Sequence, residues 1–152
     1  MPPLQRWLDA GDLRRHRTSQ REIADLLALA VRDLSDARVT ALSLDRRFAT
    51  GYAGALQLAT IVLAASGFRV AAQRGHHVVT WLVLPELMGV ATTETGVYFD
   101  SCRALRNRSD YDHAGVVSAA EVDEVLREAE GFRDQVLEWL AREHPRLVPG
   151  PA

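Results

Sequence analysis

The sequence of 152 residues contains no lysine; all 18 of its basic residues are arginine. That usage is also what a GC-rich genome produces, so a single arginine here says less than usual about a deliberately chosen guanidinium. Cysteine is nearly absent as well. One residue, Cys102, excludes an intramolecular disulfide and leaves no thiolate cluster for structural zinc. The chain has no excess of positive charge: 20 acidic residues against 18 basic ones give a net charge of −2. With a pI near 6.2, coating nucleic acid or an anionic membrane through bulk charge is disfavoured, although a local basic site remains open. Long hydrophobic runs are missing. The most apolar stretch, residues 78–84, is far too short to span a bilayer, and Met1-Pro2-Pro3-Leu4-Gln5-Arg6-Trp7 has no apolar run of signal length. The expected location is therefore soluble and cytoplasmic. No glycine-rich phosphate loop, nucleophile elbow or EF-hand pattern occurs, and there is no internal repeat or interior linker.

What is present suits a globular core. Hydrophobic residues make up 47% of the chain and charged ones 25%, which predicts a single domain over residues 1–152, with only residues 1–3 and 148–152 loose. The dominant period is helical. Ile23, Leu26, Leu27, Ala30, Val31 and Leu34 repeat as a buried stripe, and Ser19 with Glu22 forms a capping-box signature, predicting a helix over 19–42. A second helix is predicted over 45–66, stopped by Gly67. Phe48, Tyr52, Ala55, Ala59 and Val62 form its main stripe, and further apolar residues extend the stripe almost all round, so this is the expected central helix. Gly75-His76-His77 opens a third apolar segment, broken at Pro85 and Gly89. It is read as helix because no second strand candidate exists to pair with it. Thr93 begins a helix to about Asn107, and Ser118 with Glu121 caps a last long helix to about 142, ended before Pro145. A short helix around Leu4, Trp7 and Leu8 is expected to pack outside. The predicted class is all-α, an antiparallel four-helix bundle with short additional helices.

The most unusual segment for a bundle is Arg103-Ala104-Leu105-Arg106-Asn107-Arg108-Ser109-Asp110-Tyr111-Asp112-His113. Three arginines and a histidine crowd a helix end and the following turn. Arg103 and Arg106 are three apart and share a helix face. Guanidinium groups offer permanently charged, bidentate donors matched to phosphate oxygens, and His113 brings a side chain that titrates near neutrality. Asp110 or Asp112 is placed to fix the tautomer of His113, and Asn107 to orient it or a substrate. An arginine that holds phosphate beside a titrating histidine is sufficient for acid–base cleavage of RNA without a metal or other cofactor.

Arg106-Asn107, five intervening residues and then His113 resemble the R-polar-x-H signature of HEPN (higher eukaryotes and prokaryotes nucleotide-binding) domains. The stretch from Asp45 through Ala59 also resembles the second bundle helix of several prokaryotic members, and the likeness extends over about 18–142. The resemblance implies a metal-independent endoribonuclease in which a homodimer brings two copies of the motif into one cleft. Arg106 would then hold the scissile phosphate of RNA, His113 would act in general acid–base catalysis, and Asn107 would be the supporting polar residue. Arg103 and Arg108 would help bind substrate. It further implies a toxin or phage-defence protein restrained by an antitoxin, often a nucleotidyltransferase. In one subgroup that partner modifies a tyrosine two residues after the histidine. Here Gly115 occupies that position and Tyr111 lies on the other side, a departure from that subgroup's pattern. The family also includes members without catalysis that bind nucleotides or protein partners.

Simpler readings stand beside these. Arg103, Arg106 and Arg108 also suit surface salt bridges with Asp100, Asp110 and Asp112, and His113 suits a helix-end turn. Arg106 and Arg108 both fall within the tolerated spacing to His113. His76 and His77 point in different directions and lack a second ligand cluster, so a helix start is favoured over a metal site. Cys102, on a stripe with Tyr98 and Leu105, reads as a small buried hydrophobe. Trp81 and Trp139 read as core or interface residues. A DNA-binding helix-turn-helix is disfavoured by the net charge and the lack of a short basic recognition helix.

Overall fold

The computed structural model describes residues 3–71 and 75–150, with the side chains of Pro3, Tyr111 and Asp112 outside that description. The chain is an all-α bundle with one small sheet. Its elements are α1 (Pro3–Asp9), β1 (Leu13–Arg15), α2 (Gln20–Asp36), α3 (Leu44–Ala65), β2 (Phe68–Val70), α4 (His76–Met88), α5 (Thr93–Asn107) and α6 (Ala119–Glu143). Short 3-10 turns cover Val90–Thr92 and Pro145–Leu147.

The helix expected in the centre is there. α3 touches α2, α4, α5 and α6, and carries Phe48, Tyr52, Ala55, Leu58, Ala59 and Val62 in the core. By length and composition α3 could cross a membrane, unlike the run at 78–84, but most of it is buried inside the fold. Glycines bring its neighbours close. A Cβ on Gly54 would lie 3.0 Å from the Leu34 side chain on α2, and one on Gly51 3.2 Å from Leu126 on α6. Gly67, at φ +91°, ends α3 as expected.

α2 is shorter than the predicted 19–42. It ends at Asp36, and Arg47, on the first turns of α3, donates from Nε to the free Ala37 carbonyl (2.8 Å) at that end. The two capping signatures also differ. Ser118 and Glu121 form the full reciprocal box on α6. Ser19 does accept the Glu22 N–H, but the Glu22 carboxylate is taken by Thr18 (2.6 Å) and His16 (2.7 Å) and never returns to the cap.

The sheet escaped the sequence reading. β1 and β2 pair antiparallel, Leu13 opposite Val70 and Arg15 opposite Phe68, across more than fifty residues of chain. Three residues per strand are too few for a period-2 signal. Leu13, Val70, Val79, Val83 and Leu63 make a second small core, covered by Leu4, Trp7 and Leu8 of α1. α4 is thus sandwiched, with Trp81 and Leu84 in the main core and Val79 and Val83 in the second. This explains why 78–84 is apolar throughout. It is helical, as expected, but Pro85 lies inside α4 and does not break it. Pro85 has no N–H for the Trp81 carbonyl four residues back. Gly96 of α5 packs there, so close that a Cβ would sit 2.7 Å from that oxygen. The C-terminal end is more firmly held than expected, for Leu147 and Val148 pack on the main core and Gln20 donates to the Val148 carbonyl.

Candidate functional site

The arginine-rich segment begins on the last turns of α5, where Phe99, Cys102 and Leu105 face the core. Arg103 and Arg106 project from the neighbouring face. With Asn107, and with Gly75, His76, His77 and Val78 at the start of α4, they line a surface cleft of about 270 Å³. Arg106 is held there from several sides. Its guanidinium lies 5.4 Å from the centre of the Tyr52 ring, and Nη2 donates to Asn107 Oδ1 at 2.8 Å. Among the described residues its buried Nε has no hydrogen-bond partner; an Asp110 carboxylate oxygen is 4.0 Å away, within ion-pair range but too long for a hydrogen bond. Arg103 donates from Nε to Asp100 at 2.8 Å, as the simpler reading of this segment anticipated.

The cleft separates the two arginines that sequence spacing left equivalent. Arg108 is exposed and turned toward a different depression, lined by Phe48, Tyr98, Cys102, Glu121 and Glu124. It does not share the cleft with Arg103 and Arg106. His113 does not line the cleft either. After Asn107 the helix widens into one π-type turn, Arg108–Asp112, closed by the His113 N–H on the Arg108 carbonyl at 2.8 Å. His113 then leaves in an extended conformation with its side chain exposed. The expectation that Asp112 fixes its tautomer falls on a side chain outside the description, as does Tyr111.

Two contributors were not seen in the sequence. Asp45, on the first turn of α3, accepts the backbone N–H groups of Gly115 (2.6 Å) and Val117 (3.3 Å), which ties down the loop that carries His113. Gly115 makes this turn at φ +79°. His77 is the second. Its Nδ1 lies 3.3 Å from the Tyr52 hydroxyl, which accepts the Trp81 indole N–H at 3.0 Å. Burial, reinforced by the Arg106, His76 and Arg103 charges, pushes the His77 pKa down to about 4, so His77 is neutral at pH 7. Burial likewise pushes Tyr52 up to about 12, so its phenol keeps its proton. The only signal available for His77 was Gly75, which marks a helix start. Nothing in the sequence ties it to Tyr52, twenty-five residues earlier.

His76 and His77 both occupy the first turn of α4, the helix start favoured over a metal site. No group of three or more His, Cys, Asp or Glu among the described residues could hold a metal ion. Cys102 is buried, and burial raises its thiol to about 11, the behaviour of a packing residue. Trp81 and Trp139 are both core residues; Trp81 stacks on Phe99 with ring centres 5.0 Å apart.

The chemistry of the cleft is that of an anion receptor: two guanidinium groups, an amide and the neutral His77 imidazole at a helix start. No curated protein and no solved structure matches this chain. A family does: residues 37–137 match SAV_6107-like HEPN, a span that runs from the end of α2 through most of α6 and includes Arg103, Arg106, Asn107 and His113. With that match over well more than half its length, and with the helical architecture described above, the chain belongs to the HEPN family.

Proposed function

We propose that this chain is a metal-independent endoribonuclease that works as a homodimer in the cytoplasm, the toxin half of a toxin–antitoxin or phage-defence pair. The observation that carries the proposal is Arg106: a guanidinium fixed at the end of α5 beside Asn107 and over the Tyr52 ring, lining an open cleft with Arg103. In this reading Arg106 and Arg103 hold the scissile phosphate. The RNA 2′-oxygen attacks phosphorus and gives its proton to a general base. The bond to the 5′-oxygen breaks as that oxygen takes a proton from a general acid, leaving a 2′,3′-cyclic phosphate and a 5′-hydroxyl. His113 serves this proton transfer. Because it is exposed outside the Arg106 cleft of its own protomer, a second copy must bring its His113 loop to the cleft across a two-fold axis.

The same position of His113 favours a second reading, a HEPN module that binds a nucleotide or a protein partner without cleaving. RNA cleavage by purified protein in EDTA, with Arg106→Ala and His113→Ala beside wild type, decides between them. Cleavage by wild type and by neither folded variant supports the ribonuclease. No cleavage of varied RNAs by a folded, dimeric wild type overturns it in favour of the binding module.

A further inference from the structure

The cleft holds more than the arginine motif, because its other wall is the start of α4. Gly75 opens that helix at φ +68°, and no side chain among the described residues caps it, so its first N–H groups add a positive helix end to two guanidinium groups. The orientation of His77 follows from hydrogen-bond bookkeeping. The Trp81 indole N–H can only donate, so the Tyr52 oxygen accepts it at 3.0 Å. Tyr52 is fully buried, and its hydroxyl proton has one acceptor within reach among the described residues, His77 Nδ1 at 3.3 Å. A neutral His77 whose Nδ1 accepts must carry its proton on Nε2. Nε2 makes no hydrogen bond within the described protein, and His77 is one of the residues that line the cleft. Among the described residues, the charged and titratable groups around His77 are Tyr52 from α3, His76 from its own helix, and from α5 Arg106 and Arg103, the latter paired with Asp100.

We propose that the chain Trp81–Tyr52–His77 sets the His77 tautomer so that its Nε2–H, together with Arg103 and Arg106, seats a phosphate group of RNA or of a nucleotide in the cleft between α4 and α5. His77 is thereby a binding residue of the site, and Tyr52 and Trp81 are positioning residues. Two fixed charges already attract the anion, and a third cation among them would be costly; a neutral donor adds a hydrogen bond without that repulsion. The proposal rests on the reading of the cleft as a phosphate site, but it does not need cleavage to occur.

The test is calorimetric titration of the full-length protein with sodium sulfate, which stays a dianion from pH 6 to pH 8. His77→Phe is expected to weaken sulfate about tenfold, and His77→Gln, whose amide replaces the Nε2–H donor, to restore it to within about threefold of wild type. With His76→Gln as the background, sulfate affinity is expected to be flat across the pH range, and nitrogen-15 spectra of the wild type to show the His77 Nε2–H form, lost in part in Tyr52→Phe together with sulfate affinity. A tenfold fall in affinity from pH 6 to pH 8 in that background would mean a bound His77 imidazolium and overturns the proposal, as does an Nδ1–H tautomer of His77 in the wild type. If Arg106→Gln abolishes sulfate binding while His77→Phe leaves it unchanged, the arginine site stands and the role of His77 fails. If neither matters, both fail. Uridine monophosphate and a uridine trinucleotide with hydroxyl groups at both ends, titrated into His113→Ala to prevent turnover, identify the source. Binding of the first assigns the seat to a terminal phosphate, binding of the second to an internal diester, and binding of neither overturns it.

Discussion

Asp45 is expected to govern the histidine loop from a distance. Its carboxylate accepts the Gly115 N–H at 2.6 Å and the Val117 N–H at 3.3 Å, bridging the start of α3 to the loop between the π-type turn and α6. A hydrogen bond to a fully buried charged acceptor contributes about 1.5–3 kcal/mol. Here the Gly115 end reaches solvent and the second bond is long, so about 0.5–1 kcal/mol each is the appropriate scale. Asp45 also sits in the first turn of α3, where a negative charge adds about 0.3–1 kcal/mol. Asp45→Ala should therefore lower stability by about 2 kcal/mol, which for a domain of this size is a fall in Tm of about 4–8 °C. Asp45→Asn keeps one acceptor for Gly115 and should lose about half of this. Thermal unfolding gives the total, and amide exchange separates its parts. Exchange at Gly115 and Val117 should speed up about tenfold or more in Asp45→Ala, while the buried middle of α3 follows only global stability. Loss of stability without faster exchange at these two amides would show that the effect lies in the helix end alone, and would refute the anchoring of the loop.

Three further outcomes are expected. Gly96→Ala would place a Cβ 2.7 Å from the Trp81 carbonyl oxygen, a backbone atom that cannot move aside alone; the α4–α5 packing must open, at a cost of about 1–3 kcal/mol in a denaturant titration. Wild-type stability at Gly96→Ala would contradict that close approach. His77, lowered to about 4 in the folded protein and ordinary when unfolded, binds protons more weakly folded than unfolded. Its contribution to stability is therefore complete above about pH 6.5 and declines as the pH falls toward 4. Proton NMR of the ring should show the low midpoint, and Arg106→Gln should raise it; an unchanged midpoint would mean that Arg106 does not act on His77. Cys102, buried and raised to about 11, should resist thiol reagents at pH 8 until the protein unfolds, so rapid labelling of the native state would contradict its burial.

Much of the bundle was readable because helical burial leaves a period in the sequence. The stripe of Phe48, Tyr52, Ala55, Ala59 and Val62 announced a central helix, and Ser118 with Glu121 announced the start of α6. Where a tertiary contact sets a boundary, local pattern fell short. α2 ends at Asp36, where Arg47 of α3 satisfies the Ala37 carbonyl, and Pro85 rides inside α4 because that helix is held by packing on both sides. The two short strands were invisible, since their pairing joins segments distant in the chain and each is too short to show alternation.

The site divides along the same line. The sequence alone determined that Arg103, Arg106 and Asn107 lie at a helix end and that His113 lies in the turn beyond, because spacing within one element is fixed by helix geometry. Only the folded chain decided that Arg106, and not Arg108, shares a cleft with His77, and that Tyr52 and Trp81 stand behind that histidine. It likewise decided that Asp45 holds the loop of His113. These are contacts between helices far apart in the chain, set by how α3, α4 and α5 pack, and no periodicity within a single helix encodes them.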